Sequence, residues 1–278
     1  MISEDYLTLL KNTDICRLSK EDTNNFVLKY HYSGVMPRLT KERLGIIINN
    51  KLMAVLTLGW GTRPLHTIKK LFDGCVSEDY FEIGKMCLHD DLPKNSETIF
   101  LSKVVKWLKV HYPQKKFLYT WADGIVGKVG YVYQAFNMLH GGFIETDIYV
   151  SKDGHKIHPR TAQGIIKKMY GKKDNLKIGQ RPTFEQRIDL ELKRVKGKQF
   201  RYILPLNKKA KQLLKTSSVD WQQNYPKEKD LSWKVLLPTE KEYTKLNAMP
   251  FVMKREVFKA TKPQQLTLDL LSHIYKSY

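Results

Sequence analysis

Two apolar runs meet at Asn49-Asn50 in ERLGIIINNKLMAVLTL (42 to 58), and this feature restricts the fold most. Asparagine tolerates positive φ better than other non-glycine residues, so an Asn pair between two strand-length segments predicts a tight antiparallel hairpin. Phe81 to Met86 reads as a further short strand that ends before the polar stretch HDDLPKNSE, and GWGTRP between the two reads as loop. In SETIFLSKVVKWLKVHY the apolar residues Phe100, Leu101, Val104, Val105 and Leu108 recur at helical spacing. FLYTWAD (117 to 123) has the composition of a buried strand closing on a carboxylate, and VYQAFNML suits a short helix. GFIETDIYV is then a strand ending at the turn dipeptide Asp153-Gly154. This order is mixed α/β, a central mixed sheet flanked by helices, and site residues are expected at strand ends.

Charge divides the chain. The net charge is +20 over 278 residues, yet residues 1 to 150 are nearly balanced, whereas 151 to 230 are dominated by Lys and Arg. In HKIHPRTAQGIIKKMYGKK and RPTFEQRIDLELKRVKGKQFRYILPL the cations alternate with aromatic and aliphatic residues. KQFRYILPL reads as a buried strand and NKKAKQLLK as a helix with one cationic side. Merely solubilising surfaces mix both signs, so this bias predicts a polyanionic partner, DNA, RNA or an anionic membrane alike. The expected organisation is a core domain at 1 to 158, a basic region at 159 to 220 packed on it, and an extension of open role at 221 to 278. Cys16, Cys75 and Cys87 are odd in number and form no CxxC pair, which suits a reducing cytoplasm. The N-terminus has no secretory pattern and no apolar run approaches the roughly 18 residues of a membrane span, so a cytoplasmic protein is expected.

The common catalytic motifs are missing: no Walker loop, GxGxxG, HExxH or GxSxG, and no zinc-deaminase cysteine spacing. Among the histidines, His31 differs by lying in the polar and aromatic cluster KYHYSGVMP, where a loop can present reactive groups. Among the carboxylates, Glu82 within EIGK, Asp90 and Asp91 after His89, and Asp123 at the end of FLYTWAD stand out. An Asp at a strand end caps the following turn more often than it catalyses.

Four blocks carry a resemblance. HYSGVMP (31 to 37), FEIGKMCLHDDLPKNSET (81 to 98), YTWADGIVGKVGYVYQAFNM (119 to 138) and KIHPRT (156 to 161), in that order, resemble the Mom family of phage DNA-modification proteins over roughly residues 25 to 205. That family is similar to the GNAT acyltransferases and converts adenine in duplex DNA to an N6-carbamoylmethyl form that blocks host restriction. The resemblance implies a GNAT-like sheet with a basic C-terminal extension. It makes His31, Tyr32, Ser33, Asp123 and Tyr133 candidate catalytic residues. Trp60, Lys85, Trp121, Gln134, Asn137 and Arg160 become candidate substrate contacts. Tyr30, Trp60 and Trp121 are candidates to stack on a flipped base.

Departures are also visible. Lys85 stands where the family's E-x-x-R-like block has arginine, Thr120-Trp121 precedes the site Asp, and PKNSET replaces the GNAT pyrophosphate loop. An acyl donor such as acetyl-CoA or a related activated metabolite is implied, and a helix N-terminus offers it backbone N–H groups. His31 and Asp123 would supply one N and one O ligand to a divalent metal, iron or zinc. The expected partner is double-stranded DNA, with oligomeric state open. The competing readings are a non-catalytic nucleic-acid-binding protein and a GNAT-like acyltransferase acting on RNA or protein.

Overall fold

A computed structural model describes residues 2–61, 63–169 and 181–252. In chain order the elements are α1 (Ile2–Asn12), β1 (Cys16–Arg17), α2 (Lys20–Tyr30), β2 (Leu39–Ile48), β3 (Lys51–Trp60) and α3 (Pro64–Leu71). There follow β4 (Tyr80–Leu88), α4 (Ser96–His111), β5 (Phe117–Ala122), α5 (Tyr131–Ala135), β6 (Leu139–Val150) and β7 (Lys156–Ile157). The rest are α6 (Pro159–Met169), α7 (Phe184–Asp189), β8 (Lys193–Pro205), α8 (Lys208–Leu213), β9 (Trp233–Leu236) and β10 (Thr244–Leu246). The expected mixed sheet with flanking helices is present. The described residues within 1–122, 130–143 and 200–225 form one compact unit, and those within 123–129, 144–199 and 226–252 a second.

In the first unit the sheet order is β1-β2-β3-β4-β5-β8. Its seed is the Asn hairpin: Asn49 and Asn50 take φ of 49° and 60°, and Ile48 pairs with Lys51 directly across the turn. Strand β3 lies in the sheet interior, with Met53 to Leu58 all buried, which is why it reads as one continuous apolar run rather than an alternation. Helix α4 connects β4 to β5, which run parallel, and buries the five apolar positions that its periodicity marks. The GWGTRP segment departs from the loop reading at both ends. Trp60 closes β3, and Pro64 opens α3 at the first helical position, where a missing N–H costs nothing. Below the sheet, Phe72 stacks on Phe117 at 4.3 Å, within a cluster that includes Tyr80, Tyr119 and Ile203.

In the second unit, β7 pairs with β6 through the turn at Asp153-Gly154, β9 pairs with β8, and β10 with β9. Helix α6 packs Ala162, Ile165 and Ile166 against Tyr149, Ile157, Leu190 and Leu192, leaving Lys167 and Lys168 exposed. The three cysteines are free thiols, and among the described residues no helix is long and apolar enough to cross a membrane.

Gly130 in the first unit is required by its surroundings. Gly130 caps α5 at φ 91°, and a Cβ there would sit 2.7 Å from the Tyr202 ring and 2.9 Å from the Ala122 methyl. Gly130→Ala therefore combines a left-handed backbone with overpacking and is expected to cost about 2–4 kcal/mol. The urea midpoint measures this; an unchanged midpoint would mean that α5 is not held against Tyr202.

Candidate active site

The first unit carries a fork in its sheet. Strands β4 and β5 pair at Tyr80 with Phe117, Phe81 with Leu118 and Glu82 with Tyr119, and the pairing ends there. Beyond that point β4 continues to Leu88 against β3, and β5 continues to Ala122 against β8. Separation at the carboxyl ends of two parallel strands is where α/β sheets characteristically build ligand sites. A bulge assists it: Leu58 faces Ile83 and Thr57 faces Lys85, so Gly84 has no opposite number and β4 bends away. Gly84 also admits the loop above it, since a Cβ would come within 2.5 Å of Pro37.

Glu82 stands at the mouth of this fork. The N–H of Gly61, just past the end of β3, donates to its carboxylate. A Cβ on Gly61 would lie 3.0 Å from Oε2, so the glycine lets the backbone approach. Burial pushes the Glu82 carboxyl up to about 7, with the Gly61 N–H opposing that rise. Three tyrosines share its field: Tyr80 on β4, Tyr119 on β5 and Tyr133 on α5. Burial raises the pKa of all three hydroxyls, and the Glu82 charge adds to it. For Tyr119, Arg201 on β8 works in the opposite direction, and for Tyr133 a hydrogen bond with the Thr120 side chain does so.

Loop 31–37 lies beside the bulge. Helix α2 ends at His31, whose N–H donates to Val27 O at 2.9 Å. His31 is 8% exposed, and its Nδ1 lies 2.9 Å from the Ser33 nitrogen and 3.1 Å from the Ser33 carbonyl oxygen, so the Ser33 backbone holds that side of the ring. The ring stacks on Tyr32 at 4.3 Å, and the Lys85 ammonium lies 6.0 Å over the Tyr32 ring. His31, Tyr32, Ser33 and Lys85 thus lie together. The Tyr30 ring lies against Phe26 and His89 at 4.6 Å each.

On α5, Gln134 is buried and its Nε2 donates to the Tyr202 hydroxyl at 3.1 Å, while Tyr133 lies against the Tyr202 ring. Asn137 is exposed at φ 55°, a residue of the turn that follows the helix. The Trp60 indole N–H donates to Ser77 O and Tyr80 O at 2.8 and 3.1 Å. Lys115, pushed down to about 8 by burial, covers its ring at 5.2 Å. Trp121 meets Tyr119 edge-on and carries the Arg201 guanidinium over its face at 5.4 Å.

Asp123 belongs to the second unit and begins the 3-10 turn Gly124–Val126, its carbonyl accepting from Val126 and Lys128 N–H. Its charge holds up the pKa of Lys156, which burial lowers. The Arg160 side chain lies outside the described residues. His31 and Asp123 fall in different units, and among the described residues no group of three or more His, Cys, Asp or Glu side chains is placed to hold a metal ion.

The basic stretch is partly neutralised within the second unit. Asp147 accepts from Arg194 Nε at 2.7 Å and pairs with Arg181, and Glu145 pairs with Lys196 and Lys234. Lys198 Nζ donates to Asp230 O at 2.6 Å.

Sequence comparison matches residues 12–227 to the Mom protein family. "Methylcarbamoylase mom" of Escherichia phage Mu is 30% identical over 197 residues, covering 71% of this chain and 76% of that protein. Among solved structures, an N-acetyltransferase from Staphylococcus aureus Mu50 aligns at a TM-score of 0.37 and 14% identity over 70% of this chain and 99% of its own. A putative acetyltransferase from Acinetobacter baylyi ADP1 aligns at 0.34 and 9% identity, over 69% and 90%. At such scores these two likenesses carry no weight, and the fold rests on the strand register itself.

Proposed function

Because the chain belongs to the Mom protein family, we propose that it is a DNA-modifying transferase that places a carbamoylmethyl or related acyl-derived group on the N6 amine of adenine. The observation that carries this reading is the extent of the match. Residues 12–227 take in loop 31–37, the β4/β5 fork, α5 and Asp123 together, rather than a scaffold alone. Protection of the DNA from restriction follows from altering an atom that restriction enzymes contact in the major groove.

The chemistry sets the requirements. The N6 lone pair is delocalised into the purine ring, so the amine needs proton removal as it attacks, and the developing charge on the donor needs a hydrogen-bond donor. A stacked base cannot be enclosed, so the adenine flips out at a cost of about a few kcal/mol. His31, its Nδ1 side held by the Ser33 backbone, in this reading donates from Nε2 to the donor's carbonyl oxygen, and Tyr32, Ser33 and Tyr133 shape the pocket around it. In this reading Lys85, Gln134 and Asn137 contact substrate, Asp123 orients, and Arg160 and the other cations of the basic stretch hold phosphates. The donor is an activated acyl compound of the acetyl-CoA class. Beyond Glu82 the ladder between β4 and β5 ends, and the separating strands suit an amide-bearing donor laid along the fork.

The test is mass spectrometry of nucleosides from plasmid DNA of bacteria expressing the protein. A deoxyadenosine adduct should appear, and Asp123→Ala should lower it by about 100-fold if the carboxylate orients the reactants. An adduct undiminished in that variant removes Asp123 from the site and leaves the activity standing. Absence of any adduct from well-expressed protein that binds DNA sinks the transferase reading in favour of a binding protein.

A further inference from the structure

Resting on the transferase reading, we propose that Glu82, at the β4/β5 fork, is the group that takes the proton from the attacking amine. The resemblance points elsewhere, to His31 and Asp123, but each is otherwise engaged. Nδ1 of His31 is taken up by the Ser33 backbone, and the Asp123 charge acts on the buried Lys156. Glu82 has the opposite setting. It lies where β4 and β5 part, the Gly61 N–H donates to it, and among the described residues its charge acts on Tyr80, Tyr119 and Tyr133, whose hydroxyls burial keeps protonated.

A carboxylate kept out of water is a stronger base than one in solution, and one whose protonation midpoint lies near the working pH is best matched to accept and then return a proton. With an activated acyl donor the step balances and gives an N6-acyladenine, the acyl-derived form of the product; a carbamoylmethyl group, bonded through its methylene carbon, needs the same proton removed but not this bond to a carbonyl carbon. As the amine nitrogen bonds to the donor's carbonyl carbon, the N–H bond breaks and its proton passes to a Glu82 oxygen. The bond to the leaving group then breaks, that group departs with the electron pair, and the Glu82 proton passes to it. The carboxylate is restored.

The test compares wild type, Glu82→Gln and Glu82→Asp. Plasmid DNA is incubated with each purified protein and a clarified extract of the producing bacteria as donor pool, from pH 5.5 to 9. Wild type should give an adduct rate that rises through a single-proton step near pH 7. Glu82→Gln should fall by at least about 100-fold and lose the step, whereas Glu82→Asp should keep both the step and a measurable rate. If Glu82→Gln retains the wild-type rate and step, the inference is overturned while the transferase reading stands. A Glu82→Gln protein that loses activity but also melts below wild type at pH 8 assigns the residue to the fold and overturns it too. No adduct from wild type overturns both.

Discussion

Replacing Glu82 with glutamine is expected to stabilise the fold by about 3 kcal/mol at pH 8 and to leave it nearly unchanged at pH 4. Burial moves this carboxyl from 4.5 to about 7 in the folded state, so folding favours its protonated form. Below the unfolded pKa the group is neutral in both states and contributes no penalty. As pH rises through 4.5 the unfolded chain loses its proton first, and the fold weakens until the folded group also ionises near 7. Glutamine has the same shape, can accept the Gly61 N–H, and never ionises. Other carboxylates behave in the opposite sense. Glu42, despite burial, is held low by hydrogen bonds from Arg17 and Tyr112, and Asp91 by Lys51, so both contributions weaken as pH falls. They are common to the two proteins and cancel in the difference. Paired urea melts at pH 4, 6 and 8 give the result. A variant less stable than wild type at pH 8 would mean that Glu82 is ionised and satisfied, and the mouth of the fork would then be a polar anchor instead of a reactive group.

The features legible in the sequence are those set by neighbours along the chain. The hairpin at Asn49-Asn50, the α4 stripe, the apolar strand ending at Ala122, the Asp153-Gly154 turn and the strand and helix of 198 to 213 each depend on local turn chemistry or periodicity. Helices α2 and α3 are missed for a local reason. The first is polar overall, opened by the Ser19 cap, and the second hides behind the loop-like GWGTRP. The fork is illegible because it is a property of register. Nothing in FEIGK or FLYTWA says that pairing stops at Glu82 and Tyr119, and the bulge at Gly84 depends on where β3 aligns. Glu82 is noticed as a carboxylate among apolar neighbours, but its character comes from Gly61, Tyr119 and Tyr133, which adjoin it only after folding. Likewise charge marks a change of character after residue 158, whereas residues 200–225 return to the first unit by strand pairing, which composition does not encode.

Affinity for duplex DNA is expected to fall by roughly 10³-fold or more when monovalent salt rises from 50 to 200 mM, the range for a protein making about 6–10 phosphate contacts. The excess of 48 Lys and Arg over 28 Asp and Glu leaves many cations unmatched even where Asp147 and Glu145 absorb four of them. Not all of these cations are equivalent. Arg194 is tied to Asp147 and stacked over Tyr243, so its substitution should damage the second unit more than it weakens binding. Lys167 and Lys168 project from α6 opposite the buried Ile165 and Ile166, and replacing both with alanine should leave the melting transition in place. If both touch phosphate, the slope of log affinity against log salt should become shallower by about 2, with all DNA sequences weakened alike. Fluorescence anisotropy on a labelled duplex, read across a salt series, supplies both slopes. Phosphate contacts carry no base information, so the adducted positions found by sequencing should be unchanged in the double variant. A slope equal to wild type would place these two lysines off the DNA path, and salt-insensitive binding by wild type would remove the electrostatic account of the basic stretch altogether.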